Sequence, residues 1–124
     1  MVPIVTRGDL ELAYHERGDA QGKPIVLMHG LMLSSHHMER LARLLREYRV
    51  VLLDLHGHGG SSHPRDRARY SMHEWTLDVV ALLDALHIER AAVGGMSLGA
   101  NVTYQLALEQ PGRLRLRGQE GHGP

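Results

Sequence analysis

Cysteine is absent from the 124 residues, which excludes disulfide staples and thiolate metal sites and fits a reducing compartment. No sign of charge dominates either: fourteen basic side chains balance fourteen acidic ones, so no net field draws the chain toward nucleic acid or an anionic membrane. No apolar run approaches the roughly 20 residues of a membrane span, and Met1 to Arg7 has neither the basic segment nor the apolar core of a secretory leader. Internal repeats and interdomain linkers are missing as well. The expectation is a soluble, cytoplasmic protein with no nucleic-acid or membrane partner.

What is present suits a globular domain. Apolar residues make up 43% and charged residues 23%, and a chain of this size buries about two thirds of its unfolded surface. Ile4-Val5, a turn at Arg7-Gly8-Asp9, and the alternation of Leu10, Leu12 and Tyr14 with polar neighbours predict an opening β-hairpin. Pro24 to Met28 and Arg49 to Leu53 are continuous branched apolar runs, the pattern of strands covered on both faces of a parallel sheet, and Ala91 to Gly94 is a weaker third. Helical spacing links Met38, Leu41, Leu44, Leu45 and Tyr48, with Ser34 or Ser35 as N-cap. Ser71-Met-His-Glu74 is a capping box ahead of the stripe Trp75, Val79, Leu82, Leu83 and Leu86. A last helix is expected from Leu98, through Leu106 and Leu108, to just before Pro111. Strand and helix alternate, which predicts right-handed βαβ units behind the hairpin.

Gly95-Met96-Ser97-Leu98-Gly99 sits where the third of these strands gives way to the last helix. This G-x-S-x-G is the sequence form of a nucleophile elbow, a strand-to-helix turn so tight that a Cβ beside the serine would strike its neighbours. Gly95 and Gly99 meet that demand. The turn also sets the Ser97 hydroxyl at a helix head, where the Leu98 N–H and the helix dipole favour negative charge.

Two more motifs occur in order with the elbow. His29-Gly30-Leu31 follows the first apolar run, and Asp54-Leu-His-Gly-His-Gly-Gly-Ser-Ser62 follows the second. On these three segments the chain, from residue 1 to about 116, resembles the N-terminal part of the α/β-hydrolase superfamily, in particular lactonases, esterases and C–C-bond hydrolases similar to 3-oxoadipate enol-lactonase. The resemblance implies an α/β fold with an antiparallel hairpin, then parallel strands with flanking helices, in the strand order 1-2-4-3-5, residues 1–111 being the N-terminal portion of the domain. It implies Ser97 as nucleophile and the backbone N–H groups of Leu31 and Leu98 as oxyanion hole. His29, Gly30, Gly95 and Gly99 are then supports, with Met32 and Met96 lining an acyl pocket. The implied partner is a small-molecule acyl substrate, an ester or lactone, cleaved through a seryl intermediate without a cofactor. Serine at the elbow sets the chain apart from the superfamily's haloalkane dehalogenases and epoxide hydrolases, which carry aspartate there.

The family's acid and histidine follow the serine on later strands, and only Leu98 to Pro124 follow it here, so neither role is assigned. Asp54, Asp78 and Asp84 precede the elbow, the latter two on a helix expected to face away from the site, and His122, in Glu-Gly-His-Gly, lacks the intervening strands. His56, His58 and His63 invite a metal reading, but imidazole sites need three or four converging ligands and the family uses this loop without metal, so none is expected. His29 reads as a structural histidine, His36 and His37 as a helix entrance, and Asp54 as a brace for the loop after its strand. Residues 112–124, with four glycines, three arginines and no apolar stripe, are expected to be disordered, and the change at Arg113 to Arg117 reads as a truncated or shifted frame. The chain is thus expected to be a serine hydrolase that is incomplete as given. The alternative is a non-catalytic remnant or interaction protein that keeps the first half of the fold. In either case the strand at Ala91 to Gly94 is left as a sheet edge open to self-association or to a partner chain.

Overall fold

The computed structural model describes residues 2–115. Five strands, β1 (Ile4–Arg7), β2 (Leu10–Gly18), β3 (Pro24–Met28), β4 (Arg49–Leu53) and β5 (Ala92–Gly95), form one sheet in the order β1-β2-β4-β3-β5. β1, β2 and β4 pair antiparallel, while β3 runs parallel to both β4 and β5. This is the order and mixture that the family resemblance implies.

Period-two alternation explains why the sheet is covered on both faces. Val26 and Met28 of β3, with Val51 and Leu53 of β4, point to the face packed by helices α2 (Met72–Ala85) and α3 (Leu98–Glu109). The intervening Leu27, Val50 and Leu52 point to the other face, where Met38 and Ala42 of the first helical segment cover them. Ser71 caps α2 by accepting from the Glu74 N–H, and Trp75, Val79, Leu82 and Leu83 are its buried stripe.

Two local expectations change. The single helix read from Met38 to Tyr48 is a 3-10 turn at Ser35–Met38 followed by a shorter α1 (Glu39–Leu44). Leu45 leaves helical geometry at φ −111°, ψ 28°, which turns the chain down into β4. Gly112 to Arg115 are placed rather than disordered: Arg113 donates to the Asp84 carboxylate and to the carbonyls of Ile88 and Glu89, and buried Leu114 forms a parallel bridge with Ala91. The rest of the expected tail, 116–124, lies outside the described residues, and so does His122.

Candidate active site

The three sequence motifs meet because β3, β4 and β5 end level with one another. Met28 lies opposite both Leu53 and Gly95, so the segments that begin at His29, Asp54 and Met96 all leave the carboxyl edge of the parallel strands side by side.

Ser97 has φ 53° and ψ −108°, left-handed backbone that a residue with a Cβ adopts only under strain. The turn is held from both sides: the Met96 N–H reaches the Met28 carbonyl, and the Gly99 N–H bonds to the carbonyls of His29 and Met96. Both elbow glycines are forced by this closeness. A Cβ on Gly99 would lie 2.5 Å from the Met28 carbonyl oxygen, and one on Gly95 would meet the same oxygen and come within 2.9 Å of the Gly99 Cα. The Ser97 side chain makes no capping bond to α3, and the residue is exposed, so its hydroxyl is not consumed by the helix it heads.

Gly30 faces this serine: a Cβ built on it would sit 3.6 Å from the Ser97 Cβ. The orientation of the next peptide follows from His29. Its ring is fully buried, and burial holds its pKa below the usual histidine range. Nε2 accepts the Leu55 N–H, so Nδ1 carries the proton and donates to the Gly30 carbonyl at 2.7 Å. The Leu33 N–H bonds to that same carbonyl. In a trans peptide the N–H points opposite to the C=O, so fixing the Gly30 oxygen aims the Leu31 N–H the other way. Among the described residues neither the Leu31 nor the Leu98 N–H has a backbone or side-chain acceptor, while the Gly99 and Asn101 donors of the same helix head are engaged. Met32 (φ 65°, 85% exposed) and Met96 (44% exposed) lie out in solvent beside the elbow.

Asp54 is the expected brace. Its buried carboxylate accepts from the Ser35 N–H at 2.7 Å and the Gly60 N–H at 3.1 Å, tying the loop after β4 to the turn before α1. A second acidic residue, set aside in the sequence as lying on a helix that faces away from the site, has a structural role that the sequence did not announce. Asp78 of α2 is completely buried, accepts from the backbone N–H and Nδ1 of His56, and is paired with Arg7 at 2.8 Å. The other ring nitrogen of His56 meets the Arg69 carbonyl. Asp78 stands three residues after Trp75 on the apolar stripe of α2, and that spacing was the available signal. The loop histidines thus serve separate structural bonds: His58 bonds to the His56 carbonyl and His63 to the Gly59 carbonyl.

A family model described as alpha/beta hydrolase fold matches residues 23–115. A fluoroacetate dehalogenase of a Burkholderia species is 37% identical over 94 residues, which are 73% of this chain and 31% of that protein. Among solved structures, a hydrolase from Pseudomonas aeruginosa aligns at 34% identity and a TM-score of 0.86 over 92% of this chain and 43% of its own. The enol-lactonase from Burkholderia xenovorans aligns at 29% identity and 0.85 over 91% and 44% respectively. The chain spans less than half the length of each of these proteins.

Proposed function

Because the chain belongs to the α/β-hydrolase fold family, with hydrolases among its relatives, we propose that it carries the nucleophile and oxyanion hole of a serine hydrolase acting on an ester or lactone. The observation that carries this reading is the strained Ser97, clamped between two glycines that tolerate no side chain, with its hydroxyl exposed and uncommitted. Strain of this kind costs on the order of 1–3 kcal/mol and persists where the surroundings impose it, most often at reactive sites.

In the proposed reaction the Ser97 oxygen attacks the acyl carbonyl, and the negative charge that develops on the carbonyl oxygen is met by the N–H groups of Leu31 and Leu98. His29, Gly30, Gly95 and Gly99 hold those donors and the serine in place. The alcohol departs, leaving a seryl ester that water hydrolyses. The exposed Met32 and Met96 offer adaptable apolar surface to the acyl group. His29 does not serve as base, because both of its ring nitrogens are engaged. We assign the base and its acid to the part of the relatives' length that this chain does not span. Absence of cysteine supports a cytoplasmic setting.

Labelling with a fluorophosphonate tests the nucleophile. Labelling of the wild-type chain with a hydrolase second half present to supply the base, lost in Ser97→Ala, is the expected result. A folded chain that stays unlabelled, alone and with a hydrolase second half present, would favour the alternative, a remnant that keeps the elbow for packing.

A further inference from the structure

We propose that His56 is held in the folded protein as an imidazolium, and that its second ring proton latches the far half of the loop after β4, residues 63–69, toward α2. The device is closed by that proton and released when it leaves. It depends neither on the reactivity of Ser97 nor on family membership.

The protonation state follows from what each ring nitrogen meets. His56 is completely buried, with Nδ1 2.7 Å from the Asp78 carboxylate and Nε2 2.5 Å from the Arg69 carbonyl oxygen. A carbonyl oxygen only accepts, so Nε2 carries a proton. The Asp78 oxygen that meets Nδ1 also accepts the His56 backbone N–H, and its other oxygen accepts from Arg7 at 2.8 Å. A carboxyl group surrounded by donors in this way is ionised, which makes Nδ1 a donor as well. Either neutral tautomer would set a nitrogen lone pair against an oxygen lone pair in a buried site.

Charge balance agrees. Arg7 pairs with Glu74 and Asp78, and Arg69 pairs with Glu74 and Asp9. With the ring charged, the cations Arg7, Arg69 and His56 offset the anions Asp9, Glu74 and Asp78; with the ring neutral, buried Asp78 loses part of its compensation. The Arg7 guanidinium holds the Glu74 carboxyl below the usual carboxylate range, and Arg69 does the same for Asp9. These members keep their charges as pH rises. Two other titratable rings face His56. His58 bonds through Nδ1 to the His56 carbonyl, and Tyr70, with its ring 5.2 Å away, donates its hydroxyl to the Pro64 carbonyl.

What the proton holds is set by where the loop is otherwise tied. The near half, 57–62, has anchors of its own: Gly57 bonds to Ser62, Ser62 to Glu11 of β2, and Gly60 to Asp54. It also carries His58, whose ring packs 4.6 Å from that of His29. The far half is largely exposed from His63 to Ala68. Among the described residues it is joined to the body at the Arg69 carbonyl, at the Arg69 guanidinium and, through Tyr70, at Pro64. The Asp78 carboxylate retains the Nδ1 proton, so the proton that leaves is the one on Nε2. Its loss turns the bond to the Arg69 carbonyl into a repulsion between lone pairs.

The test follows the ring and the loop in one titration. Histidine nitrogen resonances of isotope-labelled protein, assigned by comparison with His56→Gln, report how many protons the ring carries. Hydrogen exchange reports protection at Ala68, Arg69 and Tyr70, whose N–H groups are bonded within the 3-10 turn Arg67–Arg69 and its cap. Both His56 nitrogens are expected to be protonated while that turn is protected. As pH is raised and the Nε2 proton leaves, protection at these amides should fall by about tenfold or more, while Val50 to Leu53 of β4 keep theirs. Tyr70→Phe should not move that transition. His56→Gln, uncharged, should lack the protection at every pH, and His56→Arg, a permanent cation with several donors, should keep it into alkali. A singly protonated ring beneath a protected turn overturns the inference, as does protection that is unchanged after the proton leaves, or a ring that keeps both protons until the whole domain unfolds. A His56→Gln chain that folds with the turn closed also overturns it; if that variant does not fold, the wild-type titration decides alone. Loss of the transition in Tyr70→Phe would assign the switch to the phenol and overturn the latch at His56.

Discussion

At the scale of single residues, backbone strain and side-chain burial make opposite demands, and their magnitudes decide what substitutions do. Ser97 holds φ 53° with a Cβ attached, at a cost on the order of 1–3 kcal/mol. Glycine removes that cost and adds about 0.5–1 kcal/mol of unfolded-state entropy. Ser97→Gly is therefore expected to stabilise the fold by about 1 kcal/mol while abolishing any fluorophosphonate labelling. Urea denaturation checks the first half, and a destabilised variant would show that the elbow is not strained. His29 supplies the pH dependence. Burial lowers its folded pKa below 6.5, so the unfolded chain binds the proton more readily and stability is lost as pH falls below about 6.5. Urea midpoints between pH 7.5 and 5 should fall in the wild type and flatten in His29→Asn; equal slopes would mean that His29 is not the group responsible.

At the scale of elements, the loop after β4 is held by two buried carboxylates with different tasks. Asp54 joins that loop to the turn before α1, and Asp78 joins it to α2 and, through Arg7, to β1. Removing one member of a buried, hydrogen-bonded charge cluster leaves the others uncompensated, so Asp78→Ala is expected to cost about 3–5 kcal/mol. A change below about 1 kcal/mol in a denaturant titration would show that Arg7 and His56 find other partners. β3, β4 and the capped start of α2 were legible in the sequence to the residue, because branched runs and a Ser-x-x-Glu box each have one physical reading. The elbow was legible for the same reason: only glycine fits where the Met28 carbonyl passes so close. The role of Asp78 was not legible, since a carboxylate on an apolar stripe declares burial without naming the partner that compensates it. Nor was the exposure of Leu41 and Leu44, because helical spacing records which side chains want cover and not whether cover is present.

At the scale of the whole molecule, that distinction governs behaviour in solution. Of nine large apolar side chains exposed among the described residues, five (Leu31, Met32, Leu41, Leu44 and Met96) belong to the elbow, the loop after β3 and α1. Leu41, Leu44 and Met96 border one open groove between α1 and the elbow; apolar surface of this kind marks an interaction site or drives association, and a formal net charge of zero at pH 7 supplies little repulsion to oppose it. Among the described residues the outer edge beside β5 is bridged at Ala91, which leaves a short parallel template as well. Since two-fold pairing of that edge does not continue the parallel ladder, association should be open-ended and not stop at a dimer. Light scattering is expected to show mass rising with concentration without a plateau at two copies, and the thermal transition should broaden and shift over a tenfold concentration range. Leu44→Glu, which puts a charge in the groove, should reduce the association while leaving the dilute melting point in place. A sharp melt of a monomer, independent of concentration, would mean that the exposed face is stable in water as it stands.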